Sequence, residues 1–144
     1  MELQELGDRM EIQAALTRYA TSVDSRDWER WQSVFTPDAD VDYSQSLPLR
    51  GTPVEVSAFF EAAFADVPWM QHYITNVDIT FTGADTAKVD AMFYNPCLLP
   101  GMTDKSVFGG YYHHEFLRTA DGWKSRHLVE QMLWAENRPE GMGG

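Results

Sequence analysis

The stretch PWMQHYITNVDITF, residues 68–81, decides the fold, because at Pro68 the hydrophobic period of the chain changes from 3.6 to 2. After Pro68, residues 71–81, 86–97, 106–119 and 122–135 alternate as four long strands. They are joined by TGAD, by a Pro100-Gly101 loop and by the tight TADGW hairpin. Before it, apolar residues at Leu6, Met10, Leu16, Tyr19, Ala20 and Val23 predict an amphipathic helix. A second helical pattern starts at a cap on Asp24 or Ser25, turns Trp28, Trp31 and Phe35 inward and stops at TPDAD. VDYSQSLPLRG reads as two short extended pieces around a turn. TPVEVSAFFEAAF is a third helix, with Thr52 as N-cap, Pro53 in the first turn and Glu55 closing a capping box.

Helices first and long antiparallel strands afterwards predict an α+β fold. Three N-terminal helices pack on a strongly curved sheet, and the resulting cone encloses a pocket. The 144 residues suit one domain spanning 1–144, with a frayed tail from about 136. A 44% hydrophobic and 13% aromatic composition excludes a disordered chain and can wall a pocket with rings. The net charge of -11, with no clustered basic residues, speaks against nucleic acid and anionic membrane surfaces as partners. One cysteine, Cys97, rules out an internal disulfide, and the acidic N-terminus lacks an apolar leader, so a cytoplasmic location is expected.

Within 68–81, one strand face reads His72, Ile74, Asn76, Asp78 and the other Tyr73, Thr75, Val77, Ile79, Phe81. The polar groups of the first face are the ones that would meet a cavity. Asp24, at the C-terminal end of the first helix's apolar stripe, is open to two readings. It caps the next helix, or it looks into the cone and holds the tautomer of a His72 general base. In FGGYYHHEFLR the two histidines lie on opposite faces. The set Tyr112, His114, Phe116, Arg118 resembles a pocket wall, although an exposed strand edge gives the same pattern. Tyr19 and Tyr43 are candidate hydroxyl donors to a substrate oxygen, and Asn95 and Cys97 close the inner face of the second long strand. HxH, HExxH and CxxC spacings are absent, and a metal site would have to assemble from Asp24, His72 and His114; none is expected, nor is a cofactor.

RYATSVDSRDWERWQSVFTPDADVDY, LRGTPVEVSAFF, QHYITNVDI and GGYYHHEFLRTADGWK together resemble the SnoaL-like branch of the nuclear-transport-factor-2-like superfamily. The resemblance spans about residues 6–135 and is greatest to the group containing scytalone dehydratase and hexachlorocyclohexane dehydrochlorinase. It implies a cone with a mixed, mainly antiparallel sheet, an Asp24–His72 dyad and a homodimer or higher homo-oligomer. Val23 stands where the dehydratase has a tyrosine, and Cys97 where it has a second pocket histidine. Tyr19 replaces the dehydrochlorinase's lysine, Tyr43 matches a water-binding tyrosine, and Arg118 matches an arginine before the hairpin. The implied activity is that of a small-molecule lyase or isomerase acting on an apolar cyclic substrate. Epoxide-hydrolase-like water addition and a non-catalytic dimeric binding or scaffold role are the alternatives.

Overall fold

The computed structural model describes residues 1–140. Its elements run α1 (Leu3–Ser25), α2 (Trp28–Gln32), β1 (Phe35–Asp42), β2 (Arg50–Gly51), α3 (Pro53–Ala63), β3 (Trp69–Met70), β4 (Tyr73–Phe81), β5 (Thr86–Leu98), β6 (Ser106–Thr119) and β7 (Gly122–Glu136). The strands form one sheet in the order β2-β1-β7-β6-β5-β3, with β4 also paired to β5. All pairings are antiparallel except β1 with β7, which is parallel. The helices pack on one side of this strongly curled mixed sheet, an α+β half-barrel.

The curl has local causes. Register shifts between Gly109 and Gly110 and between Glu115 and Phe116 bend the β6–β7 ladder, as an extra residue in one strand does. Gly110 is required at the first bend: a Cβ there would sit 1.9 Å from the Gln131 carbonyl oxygen. At the hairpin, Gly122 takes φ +100°, open to glycine without strain.

A third register shift, between Ile74 and Val77 in the β4–β5 ladder, corrects the expected face assignment. The extra residue exchanges the two faces midway along β4. Val77, Ile79 and Phe81 therefore continue inward from Ile74, while Asn76 and Asp78 are exposed. Asn76 does not share a cavity face with His72, which itself precedes β4.

α3 forms around the capping box as expected. Thr52 Oγ1 accepts from Glu55 N at 3.3 Å, and Glu55 Oε1 accepts from Thr52 N at 3.1 Å. α2 differs from expectation: its N-cap is Asp27, which accepts from Arg30 N at 3.1 Å, and only five residues are helical. TPDAD, expected as a helix stop, belongs to β1, because β7 offers Phe35–Asp42 a parallel partner that local sequence does not reveal. In α1 the buried stripe runs Ile12, Ala15, Leu16, Tyr19, Ala20, Val23, while Leu6 and Met10 are exposed.

Two core clusters divide the interior. Ile12, Ala15, Leu16, Ala87, Val89, Ala91, Phe116 and Trp123 fill the narrow end under α1. Around Tyr19, Trp31, Phe35, Phe60, Phe93 and Tyr112 the packing is aromatic and surrounds a cavity. Within the segment expected to fray, Asn137 is held: Ser106 Oγ donates to its carbonyl at 2.7 Å, and its Nδ2 donates to the carbonyls of Asp104 and Lys105. The remainder of the expected frayed segment, 141–144, lies outside the described residues. Among the described residues no helix is long and apolar enough to cross a membrane.

Candidate active site

The wide end of the half-barrel holds a cavity of about 460 Å³. α3 supplies Phe59, Phe60 and Ala63, and its C-cap Phe64, to one wall. Val23, Val67, Met70, Phe93, Leu99, Phe108 and Met132 complete an apolar lining. Such a wall favours an apolar occupant and concentrates specificity in the few polar groups that reach it. Those groups include Tyr19, Tyr43, Ser46, His72, Asn95, Tyr112 and Glu130, with Arg138 and Glu140 of the C-terminal segment.

α1 ends where Arg26 adopts a left-handed conformation at φ 57°, its N–H returning to the Ser22 and Val23 carbonyls. The Arg26 guanidinium donates to the Asp24 carbonyl at 3.0 Å and to the Val67 carbonyl at 2.6 Å, fixing the helix end against the approach to β3. Asp24 is thereby aimed at residue 72. Its carboxylate lies 2.7 Å from His72 Nδ1 and accepts from the His72 backbone N–H, at 2.9 Å to Oδ2 and 3.1 Å to Oδ1. Of Asp24's two sequence readings, the cap of α2 falls to Asp27 instead. With Nδ1 occupied by the carboxylate, Nε2 is the ring nitrogen left for the cavity that His72 lines.

Tyr19 and Tyr43 share a hydrogen bond through their hydroxyls, and Tyr112 packs on Tyr19 with ring centroids 5.0 Å apart. Phe93 stacks on Tyr112 at 4.5 Å. Burial pushes the ionisation of all three phenols upward, so each remains a hydroxyl able to donate. Asn95 Oδ1 is buried without a protein partner. Cys97 lines the cavity as a thiol that burial pushes up to about 11.

Two expected pocket residues lie elsewhere. His114 faces inward but sits beneath Tyr19, Phe35 and Phe116 in the packed interior, 2% exposed, its Nδ1 2.8 Å from Ser125 Oγ. Burial holds its imidazole down at about 3, so it is neutral. Arg118 is at the closed end, bidentate to Asp8 at 2.8 and 2.9 Å, bonded to Asp85 at 2.9 Å, and stacked over Trp123. Its distance from the cavity follows from strand rise: the inward side chains of β6 descend from cavity to core between Tyr112 and Arg118.

Glu130 is the residue that sequence reasoning passed over. On β7 it pairs across from Tyr112, is 7% exposed, and accepts a hydrogen bond from Ser46. Burial pushes its carboxyl up to about 7, against the opposing pull of the Ser46 bond. Its signal was present as a carboxylate between Leu128 and Met132 in the inward period of the last strand.

The comparisons with known proteins agree with this architecture. The SnoaL-like domain profile matches residues 4–129. This chain belongs to the SnoaL-like family. An uncharacterized Mycobacterium tuberculosis protein, Rv2910c, is 30% identical over 131 residues, covering 90% of this chain and 88% of the relative. Among solved structures, the SnoaL-like chain described here is similar to the Kfla4162 protein of Kribbella flavida (25% identity, TM-score 0.83, 92% and 95% of the two chains). It also shares its fold with a hexachlorocyclohexane dehydrochlorinase, LinA-type3, of Novosphingobium barchaimii (20% identity, TM-score 0.85, 100% and 98% coverage).

Proposed function

We propose that the protein is a cofactor-independent lyase or isomerase for a small apolar cyclic substrate, with His72 as general base. The observation that carries this reading is an imidazole on the wall of an apolar cavity with Nδ1 2.7 Å from Asp24. In that arrangement His72 Nε2 takes a proton from carbon next to a carbonyl, and Asp24 stabilises the imidazolium that forms. Within the hydrogen-bonded Tyr19–Tyr43 pair one O–H remains free of the mutual bond, and it donates toward the oxygen on which negative charge develops. Elimination follows if the adjacent carbon carries a leaving group; return of the proton to another carbon is isomerisation. The fold shared with a dehydrochlorinase supports the same class of chemistry. Water addition to an epoxide has less support, because both Asp24 oxygens already accept from His72.

The experiment is turnover of a panel of cyclic hydroxyketones and halides by wild type, His72→Ala and Asp24→Asn. Loss of a general base lowers the rate by about 10²–10⁴-fold. Equal turnover by wild type and His72→Ala removes His72 from the mechanism, whereas no turnover of any panel member by wild type favours ligand binding as the function. Self-association is part of the same proposal: Tyr73, Tyr94 and Trp134 form an exposed aromatic row across three strands, supporting a dimer through the outer sheet face.

A further inference from the structure

We propose that Glu130 is the acid of this cavity, giving its proton to the departing oxygen of a hydroxylated ring while His72 removes the proton from carbon. The inference rests on His72 being the base and adds the leaving group, which the dyad alone does not specify.

The structure separates two polar stations within one apolar enclosure. His72 enters from the junction of β3 and β4 and is tied to α1 through Asp24. Glu130 enters from β7, on the inward face across from Tyr112, and is held by Ser46 of the β1–β2 connection. Ser46 donates to Oε1, which leaves Oε2 for the cavity that Glu130 lines. No ion pair among the described residues includes Glu130. Its charge disfavours ionisation of the Tyr19, Tyr43 and Tyr112 phenols, and His72, Arg138 and Glu140, which line the same cavity, form no ion pair with it. A carboxyl buried without a cation keeps its proton near neutral pH, and a proton so kept is available for transfer.

The step balances without a further reactant. A carbon–hydrogen bond breaks and its proton goes to His72 Nε2. The electron pair becomes the new carbon–carbon double bond, the carbon–oxygen bond breaks with its pair on oxygen, and Glu130 protonates that oxygen to water. Imidazolium and carboxylate then exchange the proton through solvent to restore the starting state. Hydroxide is a poor leaving group and needs this proton; chloride does not. The cavity is therefore specialised for alcohols β to a carbonyl rather than for halides.

The test uses two probes sharing one acidic carbon–hydrogen bond, a phenyl-substituted β-hydroxycyclohexanone and its β-chloro counterpart, with enone formation followed by absorbance. Glu130→Gln keeps the size of the side chain and the acceptor for Ser46. It is expected to lower dehydration by about 10²-fold or more, and by a far larger factor than it lowers chloride elimination. His72→Ala is expected to lower both. Glu130→Gln slowing neither reaction, or both equally, overturns the assignment of Glu130 as leaving-group acid without touching His72. His72→Ala slowing neither overturns the base. If wild type turns over neither probe, infrared titration of the carboxyl band decides: a protonated carboxyl at pH near 6 that vanishes in Glu130→Gln supports the donor, and its absence in wild type overturns it.

Discussion

Glu130 makes a prediction about stability that needs no substrate. Burial raises its carboxyl from 4.5 to about 7, so the folded protein retains a proton there that the unfolded chain has released. Each unit of displacement corresponds to about 1.4 kcal/mol, which makes the charged form cost roughly 3 kcal/mol in the folded state. For a carboxyl raised in the fold, stability is full below pH 4.5, falls as pH rises toward about 7, and is level above. His114 acts in the opposite sense. Its imidazole is held down at about 3 from 6.5, so its contribution is full above pH 6.5 and is lost as pH falls. The two slopes oppose each other between pH 4.5 and 6.5, and the wild-type profile alone conceals both. The difference between wild type and Glu130→Gln isolates the first, since His114 is common to both proteins. Urea unfolding followed by fluorescence of the five tryptophans, at intervals from pH 4 to 8, is the assay. Wild type should lose roughly 3 kcal/mol relative to Glu130→Gln across that range. A flat difference would refute the inference that burial keeps Glu130 protonated.

Two further outcomes are expected. Gly110→Ala should destabilise by about 1–3 kcal/mol or more, and by more than Gly109→Ala. The added methyl at Gly110 meets the fixed Gln131 backbone, whereas at Gly109 it meets the Trp134 ring, which can turn. Equal unfolding midpoints for the two variants contradict this. Cys97, with its thiol pushed up to about 11, should alkylate at pH 8 more than ~100-fold slower than a free cysteine; a rate near that of free cysteine argues against a buried thiol.

The parts of this structure that were legible in the sequence are those specified by nearby residues. The Thr52–Glu55 capping box, the tight turn at Gly122 and the extents of β5, β6 and β7 follow from local spacing and period. Errors arose where a distant partner decided the outcome. β1 extends back to Phe35 because β7 lies parallel to it, and the shift between Ile74 and Val77 reverses a face assignment that strict alternation predicts otherwise. The site divides in the same way. Alternation identifies Tyr112 and His114 as inward but carries no information on depth, and depth separates a cavity phenol from an imidazole beneath the floor. Arg118 went to Asp8, more than a hundred residues earlier, a partner no spacing announces. Glu130 was within reach of the same alternation, once the last strand's inward period was followed past Leu128.

The two kinds of bond between Asp24 and residue 72 have different fates under mutation. One reaches the imidazole, and the other the main-chain amide, which every amino acid except proline possesses. The end of α1 therefore remains moored to the β3–β4 junction with any residue but proline at 72. Architecture and reactivity are carried by separate atoms of one residue, and selection can exchange the second without unfastening the first.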